Sequence, residues 1–146
     1  MELPRDKSVV FEKMKMGIKS HSMWNFYFYS DIIKIITDAN YTIVCLMDKV
    51  YYVDTRLKIF EELLPTVFFR CNRSSIINLA YMESIEHKNK KIKIILSNGD
   101  EYNVSRALKN TFFTRIKRLK TIILPCEQCL FCTKKDRCQD FEPFMK

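Results

Sequence analysis

Two arginines stand where their chemistry is least absorbed by the surrounding sequence. Arg73 lies in Asn72-Arg73-Ser74-Ser75, a run of small polar residues, and Arg106 closes Asn103-Val104-Ser105-Arg106. A guanidinium presents its donors in a rigid planar fork, which matches a phosphate or the O6/N7 edge of guanine. Asn40, in Asp38-Ala39-Asn40-Tyr41, has an amide that can pair with adenine, although Asp and Asn are also ordinary turn residues. Lys88-Asn89-Lys90-Lys91 reads either as a solvated turn or as a set of phosphate contacts. Ser105 has an alternative role as N-cap of the helix that follows, and that would put Arg106 in a first turn whose dipole disfavours a cation. Arg70 reads as a solvated strand residue, and Asn78 as a side chain that pins a turn by bonding backbone groups.

A second constellation is the tail Pro125-Cys126-Glu127-Gln128-Cys129-Leu130-Phe131-Cys132, completed by Cys138. Four thiolates can close a tetrahedral zinc site. The last gap is longer than that of the bacterial ferredoxin run, and Gln139 follows where that run has proline, which disfavours an iron–sulfur cluster. A thiol-rich or redox-sensitive tail with no metal is the alternative. Cys45 and Cys71 fall in strand patterns and read as small core residues.

Enzyme chemistry finds few reagents. His21 and His87 are the only two histidines, and two glycines leave no glycine-rich phosphate loop. No carboxylate pair sits in a recognisable catalytic motif, so no small-molecule substrate is expected. The net charge of +8 and sequence pI of about 9.2 favour a polyanion as partner. With 47% hydrophobic and 13% aromatic residues, 146 residues suffice for one folded domain with a real core. No apolar run approaches the roughly 20 residues needed to span a bilayer, and Met1 to Lys7 lacks the apolar centre of a signal peptide. A cytoplasmic location without membrane contact is expected, with the six cysteines kept as thiols or metal ligands.

The elements that must hold these residues are mostly strands. Met23 to Tyr29, Tyr41 to Leu46 and Val50 to Val53 are aromatic or β-branched runs. Ile92, Ile94 and Leu96 alternate toward one face and Tyr102 and Val104 follow, with Asn98-Gly99 between them as a type I′ hairpin turn. Phe69 and Cys71 share one strand face and Arg70 takes the other. The polar corner then gives way to an apolar turn anchored by Ile76, Ile77 and Leu79. Leu57, Phe60, Leu63 and Leu64 recur at helical spacing before Pro65 stops the element. Leu108, Phe112, Ile116 and Leu119 mark a terminal amphipathic helix with Lys109, Arg115, Lys117, Arg118 and Lys120 at its other positions. The expected fold is mainly β with short flanking helices. It divides into an N-terminal arm (1–14), a β domain (15–120) and a cysteine-rich tail (121–146).

In order and spacing, Asp31-Ile32-Ile33, Asp38 to Tyr41, Leu57 to Leu64, the Phe69 to Leu79 corner, Ile85, Asn98-Gly99 and Val104-Ser105-Arg106 resemble the LytTR family of bacterial DNA-binding domains. The resemblance spans residues 15 to 120. It implies an elongated array of antiparallel sheets with a C-terminal amphipathic helix. It also implies duplex DNA bound by loops entering the major groove, needing no cofactor, and a role as transcriptional regulator resembling a response-regulator output domain. Base contacts would fall on Asn40, Arg73 and Arg106. Asn72, where the family often has histidine, and Ser105 would lie beside them. Tyr41, Lys90, Lys91, Lys109, Lys88 and Arg115 would hold phosphates. Paired sites are common in the family, so a homodimer on DNA is expected. Too little chain precedes Met14 for a receiver domain, so control by aspartate phosphorylation within this chain is not. The competing reading is a basic β-domain that docks on an acidic protein through the aromatics of Met23 to Tyr29, with a metal-binding or redox-sensing tail.

Overall fold

A computed structural model describes residues 9–122, and within them the chain builds three antiparallel sheets in layers. The first sheet holds β1 (Val9–Phe11), β2 (Lys15–Ser20) and β3 (Met23–Phe28), in that order. The central one holds β4 (Ile32–Asp38), β5 (Tyr41–Leu46), β6 (Val50–Val53), β7 (Phe68–Asn72) and β8 (Ser75–Asn78), ordered β6-β5-β4-β8-β7. The third runs β11 (Glu101–Val104), β10 (Lys91–Leu96), β9 (Met82–Lys88). Helix α1 (Leu57–Leu63) links β6 to β7, and α2 (Lys109–Ile122) follows β11. Among the described residues no helix is long and apolar enough to cross a membrane. The cysteines of the tail lie outside the described residues.

The central sheet is covered on both faces, which explains its unbroken apolar runs. One face joins Ile35, Val44, Val53 and Ile76 to Met16 and Ile18 of the first sheet and to Leu57 and Phe60 of α1. The other joins Phe69, Cys71 and Ile77 to Ile92, Ile94 and Leu96 of the third sheet and to Phe112 and Ile116 of α2. A register shift between Ile32 and Lys34 turns Ile33 to the second core while Ile32 and Ile35 stay in the first. Asn78 is 1% exposed; its Nδ2 donates to the Ile32 carbonyl at 2.9 Å and its Oδ1 accepts from the Ala80 N–H at 2.9 Å. It pins the chain where β8 ends and β4 begins.

Several local expectations need correction. The segment expected to be an arm contributes β1 from Val9, which is buried and pairs with Ile18. Ile76 and Ile77 lie in β8 and not in a turn. Leu63 sits at helical spacing but is 54% exposed, because Leu57, Phe60 and Leu64 already fill the buried stripe of this short helix. The Asn98-Gly99 turn is not type I′. Gly99 alone in it takes a positive φ (94°), and Leu96 N–H bonds the Asp100 carbonyl across a three-residue loop. The Asn98 Oδ1 accepts from the Asp100 N–H, which holds Asn98 in ordinary turn geometry. The two positive φ angles of a type I′ turn belong to Asn89 (55°) and Lys90 (65°), between paired Lys88 and Lys91.

Lys34 of β4 bonds Asp100, tying the central sheet to the third. Lys34 donation holds the Asp100 carboxyl below the usual carboxylate range. Burial works against the Lys34 charge, yet hydrogen bonds to Asp100 and Tyr102 outweigh it and raise its value. The Asp100 contribution is therefore complete above the unfolded carboxylate value and is lost as pH falls through the lower folded one. The Lys34 contribution persists until pH rises through its raised folded value. Because Asp100 is 36% exposed, Asp100→Asn is expected to cost no more than about 1 kcal/mol at neutral pH and less in acid. Urea denaturation at the two pH values checks this; an equal cost at both would show that the carboxylate charge contributes nothing.

Candidate nucleic-acid interface

Four loops carry the candidate residues, and hydrogen bonds join them in series. Asp38 and Tyr41 pair across Ala39-Asn40, and Asn72 and Ser75 pair across Arg73-Ser74. The Thr37 N–H donates to the Ser74 carbonyl at 2.9 Å, so the first loop is fastened to the second. The Asn72 Nδ2 donates to the Asn103 carbonyl at 3.0 Å, joining the second loop to the segment that leads to Arg106. The Lys109 Nζ donates to the Lys90 carbonyl at 3.4 Å, joining the start of α2 to the β9–β10 turn.

A bulge makes the central junction. The β7–β8 register shifts between Arg70 and Asn72, so Cys71 is the extra residue and its carbonyl is free of that ladder. The Ser105 N–H takes it at 2.8 Å and the Ser105 hydroxyl at 3.3 Å. Burial pushes the Cys71 thiol up to about 12, so it packs as a neutral core group. Ser105 does not cap the helix through its side chain; its hydroxyl is given to β7. Arg106 opens a 3-10 turn (Arg106–Leu108) that runs into α2, and does not lie in the first turn of α2 itself.

The candidate residues divide by what their side chains are already doing. Arg73 and Arg106 are exposed, and their guanidinium groups have no hydrogen-bond or ion-pair partner among the described residues. Asn40, Lys90 and Lys91 are exposed as well, and Tyr41 is 57% exposed with its ring edge-on to Tyr52. The Asn72 amide is committed. Its Oδ1 accepts from the Ser74 N–H at 3.0 Å and from the Ser74 hydroxyl at 3.1 Å, while Nδ2 serves Asn103. Arg115, expected on phosphate, is half-buried: Nη1 donates to the Thr66 and Phe68 carbonyls at 2.8 and 3.0 Å, and the guanidinium lies over the Phe69 ring. Burial and then Arg118 lower its pKa, and the two carbonyl bonds offset that cost and hold it in place as a structural cation.

Arg70 was not legible as part of this site. Its Nη2 donates to the Arg73 carbonyl at 2.8 Å, Nε donates to the Asn72 carbonyl at 3.4 Å, and Nη1 lies 3.6 Å from Glu61 of α1. The arginine braces the Arg73 turn from below. The signal available in sequence was an arginine three positions before a tight turn, within side-chain reach of its carbonyls.

Comparison with known proteins bears on the family and the fold. The family model of the LytTr DNA-binding domain matches residues 24–117. Among solved structures, the chain is similar to the LytTr DNA-binding domain of a protein described as a methyl-accepting/DNA response regulator from Bacillus cereus. The TM-score is 0.64 at 23% identity, covering 72% of this chain and 98% of that one. No curated protein matches the chain.

Proposed function

The chain belongs to the LytTR family of DNA-binding domains, and from that premise we propose that it reads specific duplex sequences with loops entering the major groove, as a cytoplasmic bacterial transcriptional regulator. The observation that carries this reading is the hydrogen-bonded series of loops presenting two unpartnered guanidinium groups, Arg73 and Arg106. Their mounting on bonded loops suits bidentate pairing with guanine, because little loop entropy is left to lose on binding. Asn40 takes adenine or a phosphate. Tyr41, Lys90, Lys91 and Lys109 hold the backbone, supplying affinity with little sequence preference. Asn72 and Ser105 act as positioning residues, each bonded to the segment that carries the other arginine. Two copies side by side on DNA belong to the same reading. For the tail, zinc held by Cys126, Cys129, Cys132 and Cys138 is a separate proposal, tested by metal stoichiometry in protein purified without chelator.

Selection from a random duplex library tests the main proposal. An enriched motif containing guanines at two separated positions is the expected result. Recovery of no motif, with binding that tracks only salt concentration, would defeat it.

A further inference from the structure

The outer face of the first sheet has a composition that DNA reading does not use. Residues alternate across a strand, so Trp24, Phe26 and Phe28 of β3 lie on one side, about 6.7 Å apart, and the register sets Lys19, Gly17 and Lys15 of β2 opposite them in turn. The other side is spoken for, with Met16 and Ile18 in the core. Phe26 and Phe28 remain 38% and 47% exposed. A methyl group at Gly17 would come within 2.5 Å of the Phe26 ring, so the missing side chain is what lets that ring rest on the sheet. The Lys15 ammonium lies over the Phe28 ring, 4.5 Å from its centre, which carries its charge across toward β3.

Two further facts bear on an occupant. β3 ends its sheet, with no strand on its outer edge among the described residues, and its six residues Met-Trp-Asn-Phe-Tyr-Phe include no charge and no proline. Edge strands are ordinarily protected by such residues, so an uncharged aromatic edge is a template for another strand. The three strands together carry lysines and no Asp or Glu. β1 and β2, which supply the glycine and the lysines, precede the span 24–117 matched by the family model.

We propose that β3 accepts an extended acidic segment of a partner protein, which adds to its open edge. Alternate apolar side chains of that segment pack among Trp24, Phe26 and Phe28, and its carboxylates meet Lys15 and Lys19. Charge complementarity selects an acidic partner, and the open backbone edge selects a polypeptide, since only a polypeptide can continue a β-ladder. A nucleic acid stacked on the rings, or an anionic lipid surface, would use the face and leave the edge alone. None of its residues is among the DNA-reading candidates, and the proposal does not depend on them.

Trp24 is the single tryptophan of the chain, so its fluorescence reports this surface directly. Random linear peptides displayed on phage are selected on the full chain and counter-selected on a Lys15→Glu/Lys19→Glu variant. The expected winners alternate acidic and apolar residues, shift Trp24 emission and slow hydrogen exchange at β3 amides. They bind the double variant and Phe28→Ser at least roughly tenfold more weakly, while both variants keep the wild-type circular dichroism spectrum and a cooperative urea transition and are thereby shown to be folded. Winners without acidic residues, no winners, or binding without protection of β3 amides would overturn the proposal. So would an equal Trp24 shift with oligothymidine or with phosphatidylglycerol vesicles, or a Trp24 already shielded in a homodimer of the free protein.

Discussion

Asn78→Ala is expected to remove about 2–4 kcal/mol of folding stability, because it strands two backbone groups at once. The Ile32 carbonyl loses its donor and the Ala80 N–H its acceptor, at a site that is 1% exposed. Domains of this size are stable by only about 5–15 kcal/mol, so the loss is a large share of the whole. Asn78→Asp separates the two bonds. A carboxylate still accepts from Ala80 but cannot donate to Ile32, and burial disfavours its charge. Burial raises the folded-state pKa of that new acid, so the variant is expected to regain stability as pH falls and the protonated acid donates again. Urea denaturation in mild acid and at neutral pH reads both effects. An alanine variant as stable as wild type would show that water replaces the amide and that the site is not a pin. The consequence reaches the loops, since β8 begins just after Arg73-Ser74 and β4 ends just before Ala39-Asn40.

What the sequence made legible was whatever depends on periodicity and short-range turn chemistry. The strands around Trp24, Val44 and Tyr51 and the buried alternation of Ile92, Ile94 and Leu96 follow from the period of two, and α1 and α2 from helical spacing. Arg73 was legible as exposed because it sits among small polar residues, and Arg106 because it lies where an inward-facing Val104 gives way to the terminal helix. Hidden were the features set by tertiary contact. Local propensity favours Asn98-Gly99 over Asn89-Lys90 as the type I′ turn, and it misleads; strand register and the Asn98 side-chain bond decide it. Arg115 and Lys109 lie about 120° apart around α2, and tertiary partners set what each does: the Thr66 and Phe68 carbonyls draw Arg115 in, while Lys109 reaches Lys90. The bulge at Cys71 is the deepest case. One extra residue frees a carbonyl for Ser105 and so sets the second arginine relative to the first, with no signature in composition.

Arg73→Ala and Arg106→Ala are expected each to cost about 1–3 kcal/mol of discrimination at a particular base, and to leave the other positions of the motif intact. Their guanidinium groups are exposed and unpartnered among the described residues, so removing either strands nothing within the protein and the fold should be nearly unaffected. The two losses should add, because the Asn72–Asn103 and Ser105–Cys71 bonds hold the two loops as one block that loss of an unpartnered side chain does not disturb. Lys90→Ala supplies the contrast. It should weaken all duplexes alike and reduce the slope of log affinity against log salt by about 0.9, the value of one phosphate contact. Titration of matched and single-substituted duplexes at several salt concentrations separates the two behaviours. If the arginine variants lose affinity uniformly and keep the motif, they hold phosphates, and the bases are read by the remaining loop at Asn40.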